Sequence, residues 1–170
     1  MTTAPLFDLQ ALTLTDDADK GKWFTIFDGK MEIKVASATS KTYQKKALKT
    51  MRDVQKSAGG KDIDKLPAEV LMSTTEGLLA KNALKGWATL VPAETAKQLG
   101  YEGRTSYHDG SETEEGCVLI DVAFFGGHPL ECTFENALKV ISEAPEFKDE
   151  VAERSNDRSA FRQGGVNALD

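Results

Sequence analysis

The sequence predicts an α+β fold: a small antiparallel sheet packed on about four helices. Three observations carry that expectation. Asp28-Gly29 stands between two apolar-rich runs, which reads as a hairpin over residues 23–35. The run CVLIDVAFF, residues 117–125, is apolar on both faces of an extended chain and reads as a further strand. Four other segments repeat their apolar residues at spacings of three and four, the period of a helix with a buried face.

In chain order, residues 1–21 are polar, small and acidic, with one short apolar patch at Leu6, Phe7 and Leu9. They read as a partly ordered arm able to lie on the body or on a partner. Trp23, Phe24, Ile26 and Phe27 then precede Asp28-Gly29, and Met31, Ile33 and Val35 follow it. A type I′ turn needs positive φ at both central residues, and Asp-Gly supplies it. In the second strand Lys30, Glu32 and Lys34 alternate with the apolar residues, so one face is expected to be charged and open. A lone hairpin is marginal in water, and pairing with strand 117–125 is the economical way to complete the sheet.

Residues 39–57 read as an amphipathic helix, with Tyr43, Ala47, Met51 and Val54 on its inner face. Lys41, Lys45, Lys49, Arg52 and Lys56 run along another face with only Asp53 nearby, which reads either as a contact for an acidic partner or as a solvated face. Residues 66–87 read as the central helix of the fold. Pro67 suits its first turn, Leu71 and Leu78 share one face, and Ala80, Leu84 and Trp87 share the opposite one. Lys85-Gly86 reads as its end.

The glycines of residues 91–116 predict an irregular excursion with one short helical piece near 93–99. Thr133 is placed to cap a helix over 134–144 whose apolar stripe is Phe134, Leu138 and Ile141, thickened by Ala137, Val140 and Ala144. Pro145 ends that helix and can begin the last one, 145–162, with Phe147, Val151 and Phe161 on one side and Arg154 and Arg158 between them. The tail 163–170 is expected to be flexible. One domain is therefore expected over 1–170: the arm, the hairpin with two helices over 22–90, an insertion with a strand over 91–131, the helix pair 132–162 and the tail.

The totals narrow the function. The net charge of −6 argues against nucleic acid as a partner, although residues 1–60 carry ten Lys and Arg against seven Asp and Glu. No apolar run approaches the roughly 20 residues of a membrane span, and MTTAPLFDLQ does not read as a signal peptide. Two cysteines provide no disulfide framework and fit a reducing compartment. There is no P-loop, GxGxxG, HExxH or GxSxG, so no cofactor is expected and an enzyme is the least supported class. His108, Cys117, His128 and Cys132 fall close together in sequence, as zinc ligands do, but their spacings match no CxxC or HxxxH pattern. A zinc-stabilised binding module stays a rival on that ground alone.

Several stretches together resemble the tail assembly chaperones of long-tailed bacteriophages. These are Gly21-Lys22-Trp23-Phe24 entering the hairpin, the strand MEIKVA, the basic helix with Tyr43, LLAKNALKGWATL over 78–90, FENALKVISEAPEF over 134–147, and Ser155-Asn156-Asp157-Arg158 with Phe161-Arg162. The family pattern has a helix ending in Gly-Trp and a short link where this chain has the longer segment 91–131. The resemblance implies a small α-rich domain with an N-terminal hairpin and no catalysis. It implies binding of the tape measure protein, a long aggregation-prone helical chain, and help to tail tube protein subunits assembling around it. It also implies a place in the host cytoplasm and absence from the mature virion. The candidate contact residues are Lys41, Lys45, Lys49 and Arg52, with Phe147, Val151, Arg154, Arg158 and Phe161. Core packing is the competing role for the two phenylalanines and Val151. The rival within phage biology is a structural subunit of the tail or connector.

Overall fold

Residues 6–165 are described by the computed structural model. The arm forms one 3-10 turn, Leu9–Leu12, and a single helical turn, α1 (Asp17–Lys20). It lies along the other end of the chain: Thr15 donates to the Phe161 carbonyl, Gln163 to that of Thr13 and Gly164 to that of Ala11. Residues 163–165 of the expected flexible tail are therefore held by backbone hydrogen bonds, and 166–170 lie outside the described residues.

The hairpin forms as the sequence predicts. β1 (Lys22–Ile26) and β2 (Met31–Val35) pair antiparallel from Ile26 opposite Met31 to Lys22 opposite Val35. Asp28 and Gly29 both have positive φ, at 55° and 84°, and Lys30 donates to the Phe27 carbonyl across the turn. α2 (Lys41–Ser57) begins at Ser40, whose side chain accepts from the Tyr43 amide.

The central helix is shorter than its apolar pattern. α3 (Ala68–Leu78) runs into a π-type turn, Leu79–Ala83, and the chain then extends as β3 (Leu84–Pro92). Leu84 and Trp87 are thus strand residues, and Gly86 ends no helix. β3 is an inner strand, paired to β2 on one side, with a register break at Lys34/Val35 opposite Lys85. A strand enclosed on both faces carries apolar residues without alternation, and spacings of three and four arise in such a run without a helix.

α4 (Ala93–Leu99) follows, where the short helical piece is expected. The stretch 117–125 divides into two strands. β4 (Cys117–Ile120) pairs with β3, so the sheet order is β1-β2-β3-β4 and the hairpin does not touch strand 117–120 directly. The chain kinks at exposed Asp121. β5 (Ala123–Phe125) then pairs with β6 (His128–Leu130) around Gly126-Gly127 as a separate small sheet. Segment 91–131 is therefore built into the sheet rather than added to it.

α5 (Phe134–Glu143) is capped by Thr133, which accepts from the Asn136 amide. Its buried face is Ala137, Val140 and Ile141, while Phe134 is 48% exposed and not part of the stripe. α6 (Pro145–Asn156) starts with Pro145 in its first turn and ends six residues before the expected limit, followed by a 3-10 turn, Arg158–Phe161. The fold is α+β, with the four longer helices on one side of the four-stranded sheet. Between them Ile33, Val35, Leu84, Trp87, Ile141, Phe147 and Val151 form the main core. Trp87 is 1% exposed; its indole N–H donates to the Leu130 carbonyl at 2.9 Å, and its ring meets Phe147 edge-on at 6.2 Å. Burying large apolar side chains of this kind contributes about 1.5–3 kcal/mol each.

Candidate functional site

α2 is the least embedded long element of the fold. None of its 17 residues is buried; Tyr43, Ala47, Met51 and Val54 are half-buried against the body, as the apolar stripe predicts. Burial nevertheless raises the Tyr43 phenol above its ordinary pKa. Lys41, Lys45, Lys49, Arg52 and Lys56 are all exposed, and helical geometry places them in one stripe on the outer side. None of the five makes a salt bridge among the described residues. The stripe is a field of cations with Asp53 as the one counter-charge on the helix.

Beside the stripe, α2 and α3 leave an open groove of about 760 Å³. Val54 and Ala58 form one wall, Pro67 and Val70 the other, with Asp53, Lys61 and Glu69 among the charged residues lining it. Three large apolar residues of this helical hairpin stay exposed: Leu48 at 58%, Ile63 at 43% and Met72 at 57%. The hairpin thus offers apolar area flanked by charge, and α3 is anchored to the body through the Lys148–Glu76 ion pair at 3.3 Å.

The second group of candidate residues divides. Phe147, Val151 and Phe161 are 4%, 0% and 0% exposed, so the structure places them in the core and not at a surface. Phe161 reaches Phe24 edge-on at 5.9 Å and seals the outer end of the hairpin. Arg154 is partly buried, paired with Glu150 at 3.4 Å, with its guanidinium 5.6 Å from the Phe24 ring centre. Arg158 is exposed in the 3-10 turn. The motif around it is structural: Ser155 donates from its buried hydroxyl to the Ala36 carbonyl, and Asp157 accepts from the Ser159 amide and hydroxyl. The hydroxyl of Ser159 holds the Asp157 carboxyl below the usual carboxylate range.

The residue that pattern reading misplaces is Glu32. It is 1% exposed on the sheet face opposite the helices. A strap over 104–113 crosses that face and closes over it. Arg104 is bridged to Leu119 of β4 by backbone bonds in both directions, and the Tyr107 hydroxyl donates to the Gly29 carbonyl at 2.7 Å. Glu32 accepts from Arg104 Nη2 at 3.2 Å and from the His108 amide at 2.8 Å, and lies 2.9 Å from His108 Nδ1. The His108 ring stacks on Trp23 with centroids 4.1 Å apart and planes 2° from parallel. An acidic residue buried opposite a loop arginine and a backbone amide is a clasp. The strand pattern gives no sign of it, because the partners lie more than seventy residues away.

The sulfur and imidazole groups go to different places. His108 belongs to the clasp and His128 is exposed in β6. Cys132 is half-buried, and burial pushes its thiol up to about 11. Among the described residues no three His, Cys, Asp or Glu side chains converge to hold a metal ion, so the zinc-ligand set is not assembled. No helix of the described residues is long and apolar enough to cross a membrane. Compared with known proteins, the chain matches no family model, no curated protein and no solved structure.

Proposed function

We propose that this protein is a non-enzymatic assembly chaperone of a bacteriophage tail, and that it holds the tape measure protein soluble in the host cytoplasm while tail tube protein subunits assemble. The reading rests first on the ordered sequence motifs that resemble such chaperones. One of them has changed its structural meaning, because Gly86-Trp87 lies in a strand rather than at the end of a helix. The observation that carries the reading is the α2–α3 hairpin. A 17-residue helix that buries none of its residues, beside an open groove whose apolar lining is Val54, Ala58, Pro67 and Val70, is what a helix-in-groove partner needs. The basic stripe supplies long-range attraction to an acidic flank of that partner.

The contact set on this reading is Lys41, Lys45, Lys49 and Arg52 with the groove between α2 and α3. Phe147, Val151 and Phe161 are core residues and do not belong to it. The test is co-expression with a tape measure protein encoded beside this chain. The expected outcome is a complex that co-purifies and a soluble fraction of the tape measure that rises with this protein present. A tape measure that neither binds nor gains solubility overturns the proposal.

A further inference from the structure

The three C-terminal arginines, Arg154, Arg158 and Arg162, are spaced four apart, and only the first has a carboxylate partner among the described residues. Arg158 and Arg162 line a cavity of about 420 Å³ with Thr39, Gln44, Leu12 and Leu14. Among the described residues no acidic side chain lines it. Arg162 is held at the back by its own backbone, which bridges to Leu14 of the arm. Its Nε and Nη1 are sealed from solvent and have no acceptor among the described residues. Nη2 is not among its sealed, unpaired atoms and has no hydrogen bond among the described residues. It is the nitrogen of Arg162, a cavity-lining residue, that remains open to an incoming acceptor.

A guanidinium cannot shed its proton to escape this position. With two of its three nitrogens dry and unpaired, its charge is poorly screened, and an anion at the third is attracted more strongly than at a solvated arginine. Arg158 adds a second charge and the Gln44 amide a neutral donor, while the Thr39 hydroxyl is hydrogen-bonded to Ser37 Oγ at 2.7 Å. Leu12 and Leu14 make the adjoining wall apolar. Two forked cations, an amide donor and no carboxylate among the described lining residues fit the oxygens of a carboxylate or a phosphate.

We propose that this cavity, between the arm and the C-terminal 3-10 turn, is a binding site for a small oxyanion, with Arg162 and Arg158 as its charged ligands. Gln44 lies one turn from Lys41 and Leu48 on α2, so the site adjoins the basic stripe. It does not depend on the chaperone reading, since it takes a free ion.

The test is calorimetric titration and thermal unfolding of the full chain with inorganic phosphate, with acetate, and with chloride at matched ionic strength. Saturable binding and a raised melting temperature with phosphate or with acetate, but not with chloride, are expected. The anion that acts identifies the source as a phosphate or a carboxylate. Arg158→Gln removes an exposed charge and leaves the core intact; it is expected to weaken binding about tenfold, the loss of one charged hydrogen bond. Arg162→Gln is expected to abolish saturation, and Lys97→Gln, on distant α4, to change nothing. Equal effects of all three salts, or binding unchanged in Arg158→Gln, overturns the proposal.

Discussion

Glu32 sits in its strand between Met31 and Ile33, with Lys30 and Lys34 as the neighbouring charged positions, and by position alone it belongs to a solvated face. The strap reverses that. Its carboxylate is buried, accepts from Arg104 and the His108 amide and lies 2.9 Å from His108 Nδ1, and Trp23 is drawn in by stacking on His108. Removing the acceptor leaves the His108 amide unpaired in a dry site, whereas the Arg104 side chain, 34% exposed, can turn to water. Glu32→Ala is therefore expected to destabilise the protein by about 1–3 kcal/mol, read from urea unfolding. A change within about 0.5 kcal/mol, the range of ordinary surface substitutions, would mean that the clasp does not hold the strap.

The strap is the element that the glycines of 91–116 make possible. Gly103 precedes it, and a Cβ there would collide with the Cβ and Cγ2 of Val118 in β4. Val118 Cβ is fixed by the strand backbone, so the conflict has no rotamer solution. Gly103→Ala is expected to cost about 1–3 kcal/mol, as overpacking does, and to pull Arg104 away from Leu119. Hydrogen exchange checks it: the Arg104 and Leu119 amides, which bond each other's carbonyls, should lose protection before the rest of β3 and β4. α2 is the opposite case. Its half-buried stripe is as the sequence predicts, because spacing along one helix sets it, while its start at Lys41 behind the Ser40 cap is fixed by the structure.

At the scale of the molecule the fold separates two duties. One sheet face, the π-type turn Leu79–Ala83 and the helices α5 and α6 make the core, with Trp87 and Phe147 at its centre. α2, the groove and the arginine cavity stand outside it. Charge reversal on the stripe should therefore spare stability and affect association alone. Lys45→Glu with Lys49→Glu is expected to leave the urea midpoint unchanged and to weaken capture of the tape measure on the order of tenfold or more. The wild-type complex should loosen in the same way as salt rises from about 0.1 M to 1 M, where the screening length falls from about 10 Å to about 3 Å. Capture insensitive to both salt and reversal would remove the stripe from the interface.

Much of this architecture is local and was legible in the chain. Asp28-Gly29 set the hairpin turn, Thr133 capped its helix, and Pro145 separated α5 from α6, each through atoms within a few residues. The exposed stripe from Lys41 to Arg52 was legible too, since helical spacing alone places those charges together. What tertiary structure decided depended on partners distant in sequence. Leu84 to Pro92 became a strand because β2 and β4 offered it two edges, and an apolar run is compatible with either conformation. Phe161 became core because Phe24 lies beneath it. Glu32 became a buried anchor because a strap from across the sheet supplied its donors. Spacing records which side chains share a face, but only the assembled sheet determines what that face meets.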